Sequence, residues 1–462
     1  MPPLPGSGQL SLFAPSQSPL VTLDANHRLV RLTELLDWAR LEEVAQSVRH
    51  HKLKSRAGRR PNLRVMLGAV ALMGTRRMTY REAEDQIRHY GPARYLCGLT
   101  DSTWTPDHTT IQDFTELMGP GGMAALNEVI LQCAADSGCL DARLAVGDTT
   151  AQEAPMSYPT EVGLMSRFAR MVGIASKRVG GAMRDFARDI KSSLQRAREF
   201  AGKYRFFSKS KEERLSAGQK LLNVVKGVNK KLKKSLGATA KSKSRLKKFA
   251  KVARRKLESL HEAMNRLTPQ IQYWLDTGYV AKNKLINLLM PEVCSIPRGK
   301  AGKDVEFGVK WGLTRLGGGF LLPSADATRG NFNDKKHVIE SVKDCIRLFR
   351  SAPKRYAYDR GGYSPRNVST LRVLGVKEPG LSPAGKAAWP VDGNARKQLK
   401  RERVKVEGSI GALKSGRYTF NRPLVRSTHM MLACGYRAIL GYNLNRWLNL
   451  SAARDGVQLV GA

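Results

Sequence analysis

Two aspartates of the sequence each follow a short apolar run that is typical of a β-strand. Asp148 ends the alternating segment 142–148, and Asp359 ends the segment 355–359. If these strands are parallel neighbours in one sheet, both carboxylates lie at the same edge. Carboxylate oxygens are ligands that Mg²⁺ prefers, and two such ions can activate a hydroxyl and stabilise a leaving oxygen in phosphodiester chemistry. The pair therefore predicts a metal-dependent phosphoryl-transfer site.

A third carboxylate is expected from a helix, and Glu407 is the first candidate. Arg403, Glu407 and Lys414 fall at i, i+4 and i+11, which places them about one face of a helix. That face would present one metal ligand between two phosphate-binding cations. Glu402 and Asp392 are alternative third ligands, but Glu402 lacks a lysine at the same offset and Asp392 lies in a loop with proline and glycine. The structural alternatives are a turn, a helix cap or a solvated ion pair.

The charge of the chain points to an acidic polymer as partner. The 462 residues contain 79 Lys and Arg against 39 Asp and Glu, a formal net charge of +40. Because 42% of the residues are hydrophobic, the charge is expected on folded structure, and a wholly disordered basic tail is excluded. The longest apolar stretch, 65–74, is about half of the roughly 20 residues that a membrane-spanning helix needs. Six scattered cysteines without CxxC pairs favour a reducing cytoplasm over a disulfide framework or a zinc site.

One segment concentrates the positive charge. Residues 226–256 hold 14 Lys or Arg in 31 residues and no acid, punctuated by apolar residues at helical spacing. The pattern predicts a pair of amphipathic helices. A solvated surface is the alternative, but DNA phosphates would relieve the mutual repulsion of these charges. The predicted DNA-binding residues here are Lys230, Lys231, Lys233, Lys234, Lys247, Lys248, Arg254 and Arg255.

The elements that must position these residues follow from periodicity and turn chemistry. Residues 1–24 have the composition of a flexible leader, and helical spacing runs from Arg28 to about Gly138, with capping residues at 105–110 before one helix. A strand at 142–148 opens a second unit, which returns to helical character from about Glu161 to Leu288. The later predicted elements are a hairpin at 305–322, a helix at 336–349, a strand at 355–359, a helix at 364–374, an extended segment at 376–378 and two helices after Arg401.

These residues carry a resemblance that covers most of the sequence. The chain resembles bacterial insertion-sequence transposases of the DDE type, whose catalytic domain is RNase H-like. The segments that match are Asp148-Thr149-Thr150 with Tyr158-Pro159-Thr160, then Asp359-Arg360-Gly361 with Tyr363 and Asn367, and finally Glu407 with Arg403 and Lys414. The family's last signature is Tyr, two residues, Arg, three residues, Glu, six residues, Lys. Lys400 stands where the tyrosine would be.

Further segments are similar to the family outside the three carboxylates. They are 298–303 leading into Glu306-Phe307-Gly308, then Gly330-Asn331 with Asp334, and Leu99-Thr100 followed by 106–110. The last of these resembles the domain that precedes the catalytic core. The resemblance thus implies an α/β fold: an RNase H-like mixed sheet with a large basic helical insertion, preceded by an all-α domain. The expected divisions are a leader at 1–24, a helical DNA-binding or assembly domain at 25–140, a catalytic domain at 141–454 with the insertion at about 161–288, and a tail at 455–462.

The resemblance also implies the activity and partners. Asp148, Asp359 and Glu407 would be the catalytic and metal-binding residues, with two Mg²⁺ ions that Mn²⁺ can replace. The reaction would be cleavage of an element's ends followed by joining of the 3′-hydroxyl to target DNA. The partners would be double-stranded DNA (terminal inverted repeats and target) and a second copy of the chain on that DNA, in the cytoplasm at the nucleoid. The alternatives are an inactive transposase-derived DNA-binding protein, an RNA-binding or ribosome-associated protein, and a nuclease that only hydrolyses.

Overall fold

A computed structural model of the chain describes residues 23–52, 62–100, 102–239, 248–300, 303–325, 330–383 and 388–461. The predicted leader therefore lies almost wholly outside the described residues, as does Lys247. The described helices are α1 (Arg28–Leu35), α2 (Trp38–Lys52), α3 (Leu63–Thr75), α4 (Tyr80–His89), α5 (Gly91–Leu96), α6 (His108–Asp136), α7 (Glu161–Val179), α8 (Arg184–Asp189), α9 (Lys191–Gly202), α10 (Lys211–Ala238), α11 (Lys248–Thr277), α12 (Asp334–Phe349), α13 (Pro365–Val373), α14 (Gly393–Lys414) and α15 (Thr428–Arg454). The described strands are β1 (Leu144–Glu153), β2 (Cys294–Lys300), β3 (Lys303–Leu316), β4 (Leu321–Ala325), β5 (Arg355–Tyr358) and β6 (Glu378–Leu381).

The strands form one mixed sheet, which confirms the predicted α/β class with a mixed sheet. The order is β2-β3-β1-β5-β6, and β4 pairs with β3. The strand β1 is antiparallel to β3 and parallel to β5, and β6 continues the parallel side. Parallel neighbours need a crossover, and α12 and α13 supply the crossovers before β5 and β6.

The prediction that a strand ends at Asp148 is wrong. The strand β1 runs to Glu153, and its register against β3 extends from Ala145 opposite Leu316 to Glu153 opposite Gly308. The long antiparallel partner carries β1 past the point where its parallel pairing with β5 ends at Val146. Asp148 therefore lies within a strand, while Asp359 directly follows β5 as predicted.

The N-terminal helices confirm the periodicity in the sequence, but they share a core with the sheet. Asp107 caps α6 by accepting hydrogen bonds from the N–H groups of Thr109 and Thr110, as the capping residues predicted. Buried side chains of α1 to α6, the sheet and α15 form one continuous hydrophobic cluster. The helix α15 therefore connects the N-terminal helices to the sheet.

The helices between β1 and β2 form a second hydrophobic cluster of their own, built by α7 to α11. The predicted pair of amphipathic basic helices corresponds to α10 and α11. The helical character ends earlier than predicted, because α11 stops at Thr277 before Gly278, whose φ of +75° favours glycine, and the segment up to Val293 is irregular.

The remaining predicted elements lie close to their expected positions. The hairpin of β3 and β4 turns at Gly317–Gly319, and α12 and α13 begin within two residues of the predicted starts. The strand β2 was not predicted from the sequence, and α14 begins at Gly393 rather than near Arg401. Within the described residues, every helix is too short or too polar to span a membrane, and the six cysteines are free thiols.

Candidate metal-dependent active site

The site lies where β1 and β5 run side by side. Their parallel register ends with Val146 opposite Ala357. Asp148 and Asp359 each follow two residues later along the chain, close enough for the charge of Asp359 to raise the pKa of Asp148. Residues two apart on a strand share a face, and adjacent strands lie about 4.8 Å apart. The structure therefore brings together the two aspartates that the sequence separates by more than two hundred residues.

Aromatic rings form the floor beneath the two carboxylates. Tyr356 and Tyr358 are buried, and the Tyr356 hydroxyl lies 2.6 Å from the Ser341 hydroxyl. Gly147 is required above them, because a Cβ there would stand 2.5 Å from the Tyr356 hydroxyl oxygen and 2.6 Å from the ring of Tyr358. This close approach lets β1 lie over the two rings.

The surroundings disfavour the charged forms of both aspartates. Burial raises the pKa of Asp148 from its ordinary 3.8 to about 6, and the charges of Asp359, Asp334 and Glu407 add to the rise against a hydrogen bond from the Thr149 N–H. Burial, together with Asp334, also raises the pKa of Asp359. The Arg403 guanidinium opposes that rise in pKa. The repulsion among these acids is the electrostatic setting that a bound cation would relieve.

Asp334 is a carboxylate at the site that was not among the predicted site residues. Its Oδ1 accepts a hydrogen bond from the Thr149 hydroxyl at 3.0 Å and lies 2.8 Å from Lys310 Nζ. Its Oδ2 lies 3.0 Å from where a Cβ of Gly361 would be, and Asp359 Oδ1 lies 3.1 Å from the same point. Asn333-Asp334 at the start of a helix looks like a helix cap in the sequence, and only the fold shows that this end of α12 meets the site.

Glu407 lies near the aspartates but turns toward its own helix. It raises the pKa of Asp148, yet its side chain is 67% exposed and lies 3.8 Å from Arg403. Among the described residues, no group of three or more His, Cys, Asp or Glu side chains is close enough together to hold a metal ion. The donor chemistry nevertheless suits a hard divalent cation, because Asp359 Oδ1 is buried without a hydrogen-bond partner beside Asp148.

The other residues of the predicted helix face have identifiable contacts. Lys414 lies 3.6 Å from Glu306 and 3.5 Å from the Thr150 hydroxyl, so it reaches the strand that carries Asp148. Lys400 lies 5.4 Å from the centre of the Trp389 ring. The C-terminal end of α14 therefore contacts β1.

The two alternative third ligands are engaged elsewhere. Glu402 lies 2.8 Å from Arg315 and 2.5 Å from Lys405. Asp392 caps α14 by accepting a hydrogen bond from the Ala395 N–H at 2.7 Å. Glu407 therefore remains the candidate third ligand.

The predicted DNA-binding residues of α10 and α11 differ in accessibility. Lys230, Lys233, Lys234 and Arg255 are exposed, and exposed Lys231 lies 2.9 Å from Asp189. Of Lys247 and Lys248 the structure describes no side chain. The prediction that Arg254 binds DNA is wrong. Its side chain is buried, donates to the Leu236 carbonyl at 2.8 Å and contacts Thr239 and Glu258. It ties the start of α11 to the end of α10 and is not available to phosphates.

The comparisons with known proteins bear on the N-terminal helices. Searches of curated proteins and of solved structures found no match. Residues 19–117 match the family model described as Transposase domain (DUF772), which spans α1 to α5 and the first part of α6. The match supports a transposase.

Proposed function

We propose that the chain is a DNA transposase of the DDE type, with Asp148, Asp359 and Glu407 as its catalytic carboxylates. The observation that carries the proposal is the proximity of Asp148, within β1, to Asp359, directly after the parallel strand β5, where burial and neighbouring acids disfavour their charges. An RNase H-like catalytic domain is part of the proposal. It is supported by a sheet in which β4, β3 and β1 are antiparallel while β5 and β6 are added in parallel.

The donor set suits two Mg²⁺ ions, which Mn²⁺ could replace. Asp148 and Asp359 would hold metal at the edge of the sheet, and Glu407 would turn from Arg403 to complete the set. Bound metal would lower the pKa of an attacking water and stabilise charge on the leaving oxygen. A bound cation would keep both aspartates ionised, which burial and the neighbouring acids otherwise disfavour.

The proposed reaction is two successive displacements at phosphorus. In the first, a water oxygen bonds to the phosphorus at the element's end, the bond to O3′ breaks, and O3′ leaves as a hydroxyl. In the second, that hydroxyl oxygen bonds to a target phosphorus and displaces the target's own O3′. Arg403 and Lys414 flank Glu407 on α14 and would contact the phosphates that carry the developing charge.

The exposed cations of α10 and α11 would hold the flanking duplex, and two copies of the chain would act on the paired ends. The net charge of +40 supports a nucleic-acid partner, because phosphate neutralisation with counterion release drives such binding. The N-terminal helices, which match the transposase-domain family, would take part in DNA binding or assembly.

The test is a cleavage assay on labelled DNA that spans the flanks of the chain's own coding region. The wild-type protein is compared with Asp148→Asn, and Asp185→Asn, whose side chain is 89% exposed on α8, is the matched control. We expect discrete breaks at paired inverted repeats in Mg²⁺, none in EDTA, and none with Asp148→Asn, which still binds. Asp185→Asn should cleave as the wild type does.

Two other results would count against the proposal. Binding without a break in either Mg²⁺ or Mn²⁺ would favour the inactive DNA-binding alternative. Breaks that Asp148→Asn still produces would remove the carboxylate pair from the mechanism.

A further inference from the structure

A groove in the helical insertion is lined by cations and flanked by exposed aromatic rings. It consists of two adjoining cavities of about 520 and 360 Å³ between α7, α9 and the segment that follows β1. Ser166, Arg170, Arg198 and Arg205 line both cavities, so the two form one continuous depression. We call it the arginine groove.

The lining is cationic and uncompensated. Arg167, Arg170, Arg198 and Arg205 line the groove, Lys177 lies at its far end, and neither cavity has an Asp or Glu in its lining. In the part of the chain that the structure describes, the four arginines form no ion pair within 4.0 Å. Guanidinium groups gathered without acids repel one another, and a phosphate chain is the polyanion whose geometry they fit in bidentate fashion.

Two exposed aromatic rings, Tyr158 and Phe206, line the groove, and a third, Phe207, follows Phe206 in the chain. Tyr158 is 77% exposed, and Phe206 and Phe207, on a π-helical turn at the end of α9, are 78% and 75% exposed. Tyr158 packs edge-on against Phe307 at 5.5 Å, which fixes its ring while leaving it open. Adjacent exposed phenylalanines cost hydration free energy unless a partner covers them, and a nucleobase face is such a partner.

The Tyr158 end of the groove lies beside the end of the strand that carries Asp148. Tyr158 follows the end of β1 at Glu153, and its partner Phe307 precedes Gly308, which pairs with Glu153. Asp148 lies five residues back along β1, about 17 Å at the rise of a strand. A DNA strand that left the site along β1 would therefore reach Tyr158 and then the arginines.

We propose that the arginine groove binds an unpaired DNA strand next to the cleavage site, with phosphates on the arginines and bases stacked on the three aromatic rings. This inference rests on the proposed function and adds the form of DNA that the insertion holds. A single strand fits better than a duplex, because in a duplex the base faces are already stacked on each other and cannot cover Phe206 or Phe207. The groove is distinct from the exposed cations of α10 and α11.

The test measures binding by fluorescence anisotropy in EDTA, so cleavage does not interfere. The full-length protein is titrated with a blunt duplex and with a forked duplex of the same sequence whose end is unpaired. We expect the wild type to prefer the forked DNA, and Phe206→Ala with Phe207→Ala to weaken forked binding about tenfold while leaving blunt binding unchanged. Arg198→Gln with Arg205→Gln should reduce the salt dependence of forked binding by about 0.7 in log–log slope per residue.

Matched controls come from the same insertion. Tyr279→Ala removes an aromatic ring that is 73% exposed outside the groove, and Arg196→Gln removes an exposed cation of α9 that does not line it. Both should bind forked DNA as the wild type does. All these side chains are exposed, so unchanged melting temperatures confirm that the variants fold.

Three outcomes would overturn the inference: equal wild-type affinity for forked and blunt DNA, groove variants that bind as the controls do, or tighter binding of single-stranded RNA than of DNA. Any of these beside Mg²⁺-dependent cleavage by the wild type would refute the groove alone. A protein that binds no DNA of any form would refute the proposed function as well.

Discussion

The carboxylates of the site repel one another in the absence of a cation. Asp148, Asp334 and Asp359 lie together near buried tyrosine rings. The charges of Asp359 and Asp334 raise the pKa of Asp148, and the charge of Asp334 raises that of Asp359. A structural carboxylate is ordinarily satisfied by donors or a cation of the protein, as Asp334 is by Lys310 and Thr149. Within the described residues, neither Asp148 nor Asp359 has a partner lysine, whereas Asp334 is paired with Lys310.

Because the pKa of Asp148 is raised in the folded protein, replacing its carboxylate with a neutral side chain should stabilise the fold at neutral pH. The unfolded chain ionises this group near 3.8, whereas the folded chain keeps the proton up to about pH 6, so stability falls as pH rises between these values. Asp148→Asn should therefore be more stable than the wild type by about 1 to 3 kcal/mol at pH 8, and nearly equal to it at pH 3.5. Urea unfolding in EDTA at both pH values measures the difference.

The control for this prediction is Asp185→Asn, whose side chain is 89% exposed on α8. It should change stability little at either pH. A loss of stability for Asp148→Asn at pH 8 would mean that its charge is compensated within the fold.

Two glutamates on α14 should separate catalysis from stability. Glu407→Gln removes an exposed proposed ligand and should lower DNA cleavage at least a hundredfold while unfolding remains unchanged. Glu402→Gln removes the partner of Arg315, whose side chain is only 9% exposed, and should cost about 2 to 4 kcal/mol because a nearly buried charge loses its pair. Cleavage rates and urea midpoints of both variants test the contrast, and the reverse assignment would make Glu402 the ligand.

Among the elements, α3 and α15 cross at two glycines. A Cβ on Gly441 would stand 1.7 Å from the Gly74 carbonyl oxygen, so the two backbones are in direct contact. Near this crossing, Asn445 of α15 donates to the Thr75 carbonyl at 2.9 Å. The crossing joins the N-terminal helices to the helix that packs on the sheet.

Gly441→Ala should therefore destabilise the protein strongly, by about 3 kcal/mol or more, because backbone atoms cannot move aside as a flexible side chain can. Gly411→Ala is the matched control, since it also lies inside a helix but a Cβ there meets no atom within 4 Å. That change should raise stability by up to about 1 kcal/mol through helix propensity. Thermal unfolding of both variants measures the effects, and equal behaviour would refute the close crossing.

Elements whose causes are local were predictable from the sequence. Asp107 at the start of α6, the glycines between β3 and β4, and the apolar spacing of α12 each act within a few residues. The end of β1 was not predictable, because β3 extends the strand from a distance of more than 150 residues. The strand β2 also depends on pairing with β3 and has proline and glycine in its sequence.

The residues of the candidate site also divide into some that the local sequence predicts and others that depend on the tertiary structure. Asp148 and Asp359 were predictable because each follows residues that form a strand by themselves. Asp334 was not, since its place at the site depends on where α12 lies against β1. Arg254 was misassigned because its charge is visible in the sequence while its burial against the end of α10 is not.

At the scale of the whole molecule, the two hydrophobic clusters support different parts of the proposed function. The cluster of the sheet, the N-terminal helices and α15 supports the carboxylates, and the cluster of α7 to α11 supports basic surfaces. Since the insertion enters after β1 and returns before β2, both of its ends join the sheet that carries Asp148. A duplex bound to the insertion would thus be held near the site.

Binding of duplex DNA should therefore depend steeply on salt, and the cations of α10 and α11 should account for part of that dependence. Replacing the exposed Lys230, Lys233, Lys234 and Arg255 by glutamine should lower the log–log slope of Kd against salt concentration by about 0.9 for each phosphate that these side chains neutralise in the wild type. Lys231→Gln alone should have less effect, because Asp189 already partly neutralises that lysine. A variant with the same change in net charge on exposed residues of α12, α13 and the loop after α13 controls for long-range attraction; its substitutions are Lys343→Gln, Arg366→Gln, Arg372→Gln and Lys377→Gln. If anisotropy titrations give both variants the same slope, attraction to the whole charged molecule explains binding, and α10 and α11 do not bind phosphates directly.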